Sequence, residues 1–127
     1  MLRELDEAAC PPRIMLHGYG GSPEMVPSLV SIGRSPSGVG GRLYFSFSAV
    51  STRSPKMLAR IQAVPDDRLL LESDQTTIGD IDAGLESTIA AIADAKGWTV
   101  EQATDMCWAN FCRFYDGFLP GSGEGVA

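Results

Sequence analysis

The stretch Asp67-Arg68-Leu69-Leu70-Leu71-Glu72-Ser73-Asp74 constrains this chain more than any other. A charged lead-in gives way to an unbroken apolar run and then to two carboxylates in three residues. An apolar run of that length suits a strand covered on both faces, as in a parallel sheet under helices. Side chains alternate along a strand, which puts Glu72 and Asp74 on one side and Leu71 and Ser73 on the other. Carboxylates at the C-terminal end of a buried parallel strand sit where α/β enzymes place their chemistry. Taken alone, Asp74 reads equally well as a cap on the turn into Gln75-Thr76-Thr77.

The rest of the chain repeats the pattern of strand then helix. Leu2, Leu5 and Ala9 fall at helical spacing before Pro11-Pro12 ends the run. Residues 13–17 predict a short strand ending at His17. A glycine-rich turn follows, and Ser22-Pro23-Glu24 supplies helix-start signals. Val26, Leu29, Val30 and Ile32 form the apolar face of that helix, Gly33 stops it, and Pro27 implies that it begins late or bends. Residues 34–42 are rich in Gly, Ser and Pro and predict a mobile connection.

Residues 43–48 predict a strand with Phe45 and Phe47 on one face and Ser46 and Ser48 on the other. Ser54-Pro55 opens a helix with Leu58 and Ile61 facing in, closing before Pro65. Beyond the third strand, Leu85, Ile89 and Ile92 mark a helix ending near Gly97. Thr99 and Gln102 have capping-box spacing for a last helix, whose inner face is Ala103, Cys107, Phe111 and Phe114. Trp98, Trp108 and Asn110 read as structural. The expected domain covers residues 1–117, with a loose glycine-rich tail over 118–127. Strands separated by helices imply parallel pairing, and three of them leave both sheet edges open, a route to homo-oligomers.

A length of 127 residues suits one domain with a real core. The 16 acidic against 10 basic residues disfavour a sequence-independent nucleic-acid binder, which needs a basic stripe. Arg34, Arg42, Arg53 and Lys56 lie in or near two predicted loops and read as scattered rather than gathered into a phosphate site. Cys10, Cys107 and Cys112 are odd in number and lack metal-knuckle spacing, as in a reduced protein of the cytosol or nucleus. No apolar run reaches membrane-spanning length.

His17 is the sole histidine and ends its strand as Asp74 ends the third. Periodicity leaves it open between a hydrogen-bonded residue and a ligand, although His with Asp is a pair that divalent hydrolytic metals prefer. His17-Gly18-Tyr19-Gly20-Gly21-Ser22-Pro23-Glu24 resembles the His-x-Phe-(Ser/Thr)-Gly turn of the TatD-type metal-dependent deoxyribonucleases. Asp67 to Asp74 resembles their Asp-Arg-(Ile/Leu)-Leu-Leu-Glu-(Thr/Ser)-Asp strand. Residues 44–48 resemble the strand between, and residues 108–114 their final helix. Tyr19 and Gly20 depart from the family's Phe and Ser or Thr. The phrasing is nearest a fungal branch named for binding a subunit of the anaphase-promoting complex.

That resemblance implies part of an amidohydrolase-like (β/α)₈ TIM barrel, comprising strands six to eight with flanking helices and an extra C-terminal helix. It implies a divalent metal ion (Zn, Mg or Mn) held by His17 and Asp74. Asp74 would also be catalytic, accepting the proton of the water that attacks a phosphodiester of DNA. The family's first-strand His-x-His, fourth-strand Glu and fifth-strand His have no counterpart here. The expectation is therefore a C-terminal portion whose underfilled site leaves the isolated chain weak or inactive. Glu72 is placed one layer deeper, either orienting His17 or paired with Arg13. Ser46 and Ser48 read as facing the barrel interior, packing against the neighbouring strands or, as small polar groups, helping to hold substrate or water. The alternative function is an interaction module for a helical-repeat cell-cycle partner.

Overall fold

The computed structural model describes residues 9–33, 38–48 and 54–118. Three parallel strands, β1 (Ile14–Leu16), β2 (Leu43–Ser48) and β3 (Leu69–Glu72), form one sheet in the order β1-β2-β3. Helices α1 (Met25–Val30), α2 (Pro55–Ala63), α3 (Ile78–Lys96) and α4 (Val100–Phe114) complete the described elements, apart from two short 3₁₀ turns ahead of β2 and β3. The arrangement is α/β with helices flanking a parallel sheet, as in part of a (β/α)₈ barrel. The expected first helix over residues 2–9 lies almost wholly outside the described residues, as does the tail beyond Phe118.

Register explains which side chains meet. Leu16 pairs with Phe45, which pairs with Leu69, and Phe47 pairs with Leu71. Parallel partners point the same way, so these residues share the face beneath the helices. Phe45, Phe47, Leu43 and Leu69 are fully buried there with Val26, Ile61 and Ile92. The other face carries Met15, Tyr44, Ser46, Ser48, Leu70 and Glu72 by the same alternation. Ser46, Ser48 and Leu70 are buried nonetheless. Phe114 of α4 meets Tyr44 edge-on at 5.1 Å, and Arg68 lies over the same ring.

Helix boundaries follow their local chemistry. Ser54 caps α2 by accepting from Met57 N–H, with Pro55 in the first turn. Thr99 and Gln102 form the full capping box of α4, and Gly97 ends α3 in a left-handed conformation. α1 begins at Met25 rather than after Ser22, because Ser22 and Pro23 are spent on a turn whose carbonyls accept from Met25 and Val26. Pro27 then occupies a first-turn position, where its missing N–H costs nothing.

Three expectations change on the inside of the fold. Residues 38–42 are packed rather than loose: Val39 and Gly40 are buried, and Gly40 N–H donates to Ile32 O at 2.9 Å. Residues 34–37, with Arg34, lie outside the described residues. In α2 the fully inward residues are Met57 and Ile61, with Leu58 only packed against the core. In α4 the buried set is Ala103, Cys107 and Asn110, whereas Trp108 is 63% exposed and stacks on Phe111.

Candidate metal centre

Both predicted site residues lie just past strand ends. His17 follows β1, and Asp74 stands two residues beyond Glu72, the last residue of β3. His17 Nε2 is 3.0 Å from Glu72 Oε2 and 3.9 Å from Asp74 Oδ1. One ligand atom from each of His17, Glu72 and Asp74 lies within 4.8 Å of the others. The His17 and Asp74 side chains are 65% and 42% exposed, while Glu72 is only 14% exposed. A nitrogen and two carboxylates at such spacing, open on one side, are a donor set suited to a divalent cation.

Alternation along β3 explains only part of the convergence. Asp74 adopts φ 52°, a left-handed conformation that short polar side chains tolerate better than most. The backbone therefore leaves the extended strand conformation at this carboxylate. Of the two partners expected for Glu72, His17 is the one in contact, while Arg13 donates to the Asp116 carbonyl at 2.6 Å. Glu72 Oε1 is buried and has no hydrogen-bond partner among the described residues. An unpartnered buried carboxylate oxygen costs free energy unless a cation or proton supplies the missing charge. The residues present therefore fit a divalent ion.

The turn after His17 is held from two sides. Gly18, at φ 56°, donates its N–H to Ser46 Oγ at 3.1 Å, and Tyr19 N–H donates to Ser46 O at 3.1 Å. Ser46 Oγ donates to Glu72 Oε2 at 2.5 Å. From α2, Arg60 donates to the carbonyls of Gly21 and Gly20 at 2.5 and 2.9 Å. Tyr19 is buried against Phe45, ring to ring at 5.1 Å and 89°, and its hydroxyl donates to Ser22 O. Burial pushes the Tyr19 phenol up, with Arg60 opposing and Glu24 reinforcing the rise. It stays a protonated donor.

Sequence reasoning missed Arg60 altogether and, for Ser46, its link between the turn and Glu72. The signal for Ser46 was its register on the His17 face of β2. Arg60 carried none, since its partners are backbone carbonyls of a distant turn. Arg42 and Lys56 do not join this site: Arg42 donates to Cys10 O at 3.1 Å, Lys56 is exposed on α2, and Arg53 lies outside the described residues.

Away from the site, β3, α3 and α4 enclose an open cleft of about 420 Å³ lined mainly by apolar residues, with Leu70, Leu85, Cys107 and Trp108 among them. No described helix is long and apolar enough to cross a membrane.

Comparison with known proteins matches this arrangement to one family. The family described as TatD related DNase matches residues 1–116. The chain is also 36% identical over 105 residues to the Cut9-interacting protein scn1 of Schizosaccharomyces pombe (strain 972), covering 82% of this chain and 30% of that protein. It thus spans less than a third of that relative's length. With a match over nearly its whole length, and with a His and a carboxylate converging past strand ends of one sheet, the chain belongs to the TatD-related DNase family.

Proposed function

We propose that this chain supplies the metal-holding and proton-accepting groups of a divalent-metal-dependent hydrolase acting on phosphodiester bonds, with DNA as the substrate class. The convergence of His17, Glu72 and Asp74 within 4.8 Å carries the reading, supported by the family match. His17 and Asp74 would hold the ion, and Glu72 would fix the imidazole. When bound, a divalent cation lowers the pKa of water and neutralises phosphate charge. Asp74 is the exposed carboxylate of the pair, so it is the one that can reach a water and accept its proton. Glu72 is too enclosed for that exchange.

Catalytic zinc usually keeps three protein ligands and an open position. His17 and Asp74 provide two, so full activity depends on further ligands from additional polypeptide. The test is titration of the purified chain with Mn²⁺ alongside a Mg²⁺- or Mn²⁺-dependent nuclease assay, using Asp74→Asn as control. Mn²⁺ binding that Asp74→Asn weakens is the expected result. Equal binding by both proteins, with no Asp74-dependent cleavage at any metal concentration, sinks the proposal.

A second reading rests on the name of the Schizosaccharomyces pombe relative, which describes a protein that interacts with Cut9. In this reading the cleft beside β3 and exposed Trp108 bind a helical partner. Capture of a purified helical-repeat partner should weaken on Trp108→Ala. Capture unchanged by that substitution removes Trp108 from any interface.

A further inference from the structure

We infer that Ser46 is the positioning residue of this metal centre, tying the turn after His17 to the Glu72 carboxylate that holds the imidazole. This rests on the metal-site reading above. Ser46 lies within β2, between the strands that carry His17 and Glu72, and is 1% exposed. A serine hydroxyl has one proton to give and lone pairs to receive. Here the proton goes to Glu72 Oε2 at 2.5 Å, and a lone pair is taken by Gly18 N–H at 3.1 Å. The Ser46 carbonyl takes the next amide, Tyr19 N–H, at 3.1 Å. One residue of the central strand therefore fastens both amides that follow His17.

The direction of the Glu72 side chain is the telling detail. Its Cα partner on β2 is Ser48, yet its carboxylate reaches diagonally back to Ser46. That reach brings Oε2 within 3.0 Å of His17 Nε2. With Oε2 held by the Ser46 hydroxyl, Oε1 is the oxygen left buried without a hydrogen-bond partner among the described residues. It faces the turn at Gly18, where an added Cβ would lie 3.6 Å away. Without the hydroxyl, Glu72 loses the group on β2 that draws it back, and the Gly18 amide loses its acceptor. The Tyr19 bond to the Ser46 carbonyl would survive, so the turn loosens at Gly18 rather than detaching.

Two measurements on the full chain test this. The first is Mn²⁺ affinity by calorimetry for the wild type, Ser46→Ala and Asp74→Asn. Removing a hydrogen-bond partner that orients a ligand typically weakens metal binding about 10- to 100-fold, the loss expected for Ser46→Ala. Ser46→Cys is near-isosteric with a much weaker donor, and should fall in the same direction. The second is amide hydrogen exchange without metal. Gly18 should exchange at least about tenfold faster in Ser46→Ala, as for loss of one bond of about 1.4 kcal/mol, with Tyr19 little changed. Unchanged Gly18 exchange overturns the inference whether or not the chain binds Mn²⁺. Wild-type affinity retained by both Ser46 variants overturns it too. If the wild type and Asp74→Asn bind Mn²⁺ alike, the metal reading fails, and Gly18 exchange still decides the role of Ser46 in the turn.

Discussion

Replacing Asn110 by aspartate removes two hydrogen-bond donors from the interior while leaving the side-chain volume almost unchanged. Asn110 is fully buried on α4, and its Nδ2 donates to Asp66 O at 2.8 Å and to Leu69 O at 2.9 Å. These carbonyls flank the entry to β3, so the amide pins the last helix to the strand that carries Glu72. A net hydrogen bond contributes about 1 kcal/mol, and a buried acceptor left without its donor costs roughly 1–3 kcal/mol. Leu69 is fully buried and carries the larger share, whereas Asp66 is exposed and water can replace its lost partner. Arg113 already donates to Asn110 Oδ1 and would hold the new carboxylate, limiting the charge penalty. The expected loss for Asn110→Asp is about 3 kcal/mol, or roughly 10–15 °C in Tm for a domain of this size. Urea unfolding at neutral pH, followed by circular dichroism with the slope checked for constancy, measures it. A variant within about 0.5 kcal/mol of the wild type, inside the scatter of ordinary surface substitutions, refutes the pinning role.

Other expectations follow from single positions. Gly40→Ala would put a Cβ 2.4 Å from Val30 O and 2.5 Å from Leu29 O, both backbone, and should destabilise by about 1–3 kcal/mol. The same change at Gly79, in the first turn of α3 with nothing within 4 Å, should raise stability by about 0.5 kcal/mol; equal effects at the two sites would contradict the packing argument. Asp74→Gly should abolish Asp74-dependent Mn²⁺ binding while leaving urea stability unchanged or up to about 1 kcal/mol higher, because glycine relieves the left-handed φ of 52°. Burial pushes the Cys107 thiol from its ordinary 9.0 up to about 12. Its stabilising contribution is complete below pH 9, where folded and unfolded thiols are both protonated, and declines between about 9 and 12 as only the unfolded chain ionises. Unfolding free energies measured at pH 8 and 10.5 should therefore fall more steeply for the wild type than for Cys107→Ala, and parallel slopes would count against it.

The strands were legible because their periodicity is strong: the Leu69–Glu72 run and the Phe45/Phe47 alternation can each satisfy only one register under helices. Capping chemistry made Ser54, Thr99 and Gln102 readable for the same local reason. His17 and Asp74 stood out by residue type and by resemblance, and alternation put Glu72 and Asp74 on one side, but the left-handed φ of 52° at Asp74 is encoded by no pattern. Ser46 looked like packing because a hydroxyl on a buried face says nothing of its partners until the neighbouring strands are in place. Trp108 misled for the opposite reason. An aromatic on a helix reads as core, whereas Trp108 lies on the exposed rim of the cleft and stacks on Phe111. Residues 38–42 looked loose because glycine signals freedom in sequence, whereas Gly40 is used for close approach to α1.

Because β2 lies between β1 and β3, the imidazole and the carboxylates arrive on strands that never pair with each other. The centre is absent from any partly folded species in which only two neighbouring strands have paired. As the ribosome extends the chain, the histidine waits on its turn until the last strand docks. Metal capture would therefore report that all three described strands have paired, and a fluorescent or paramagnetic ion could time that docking event in refolding experiments.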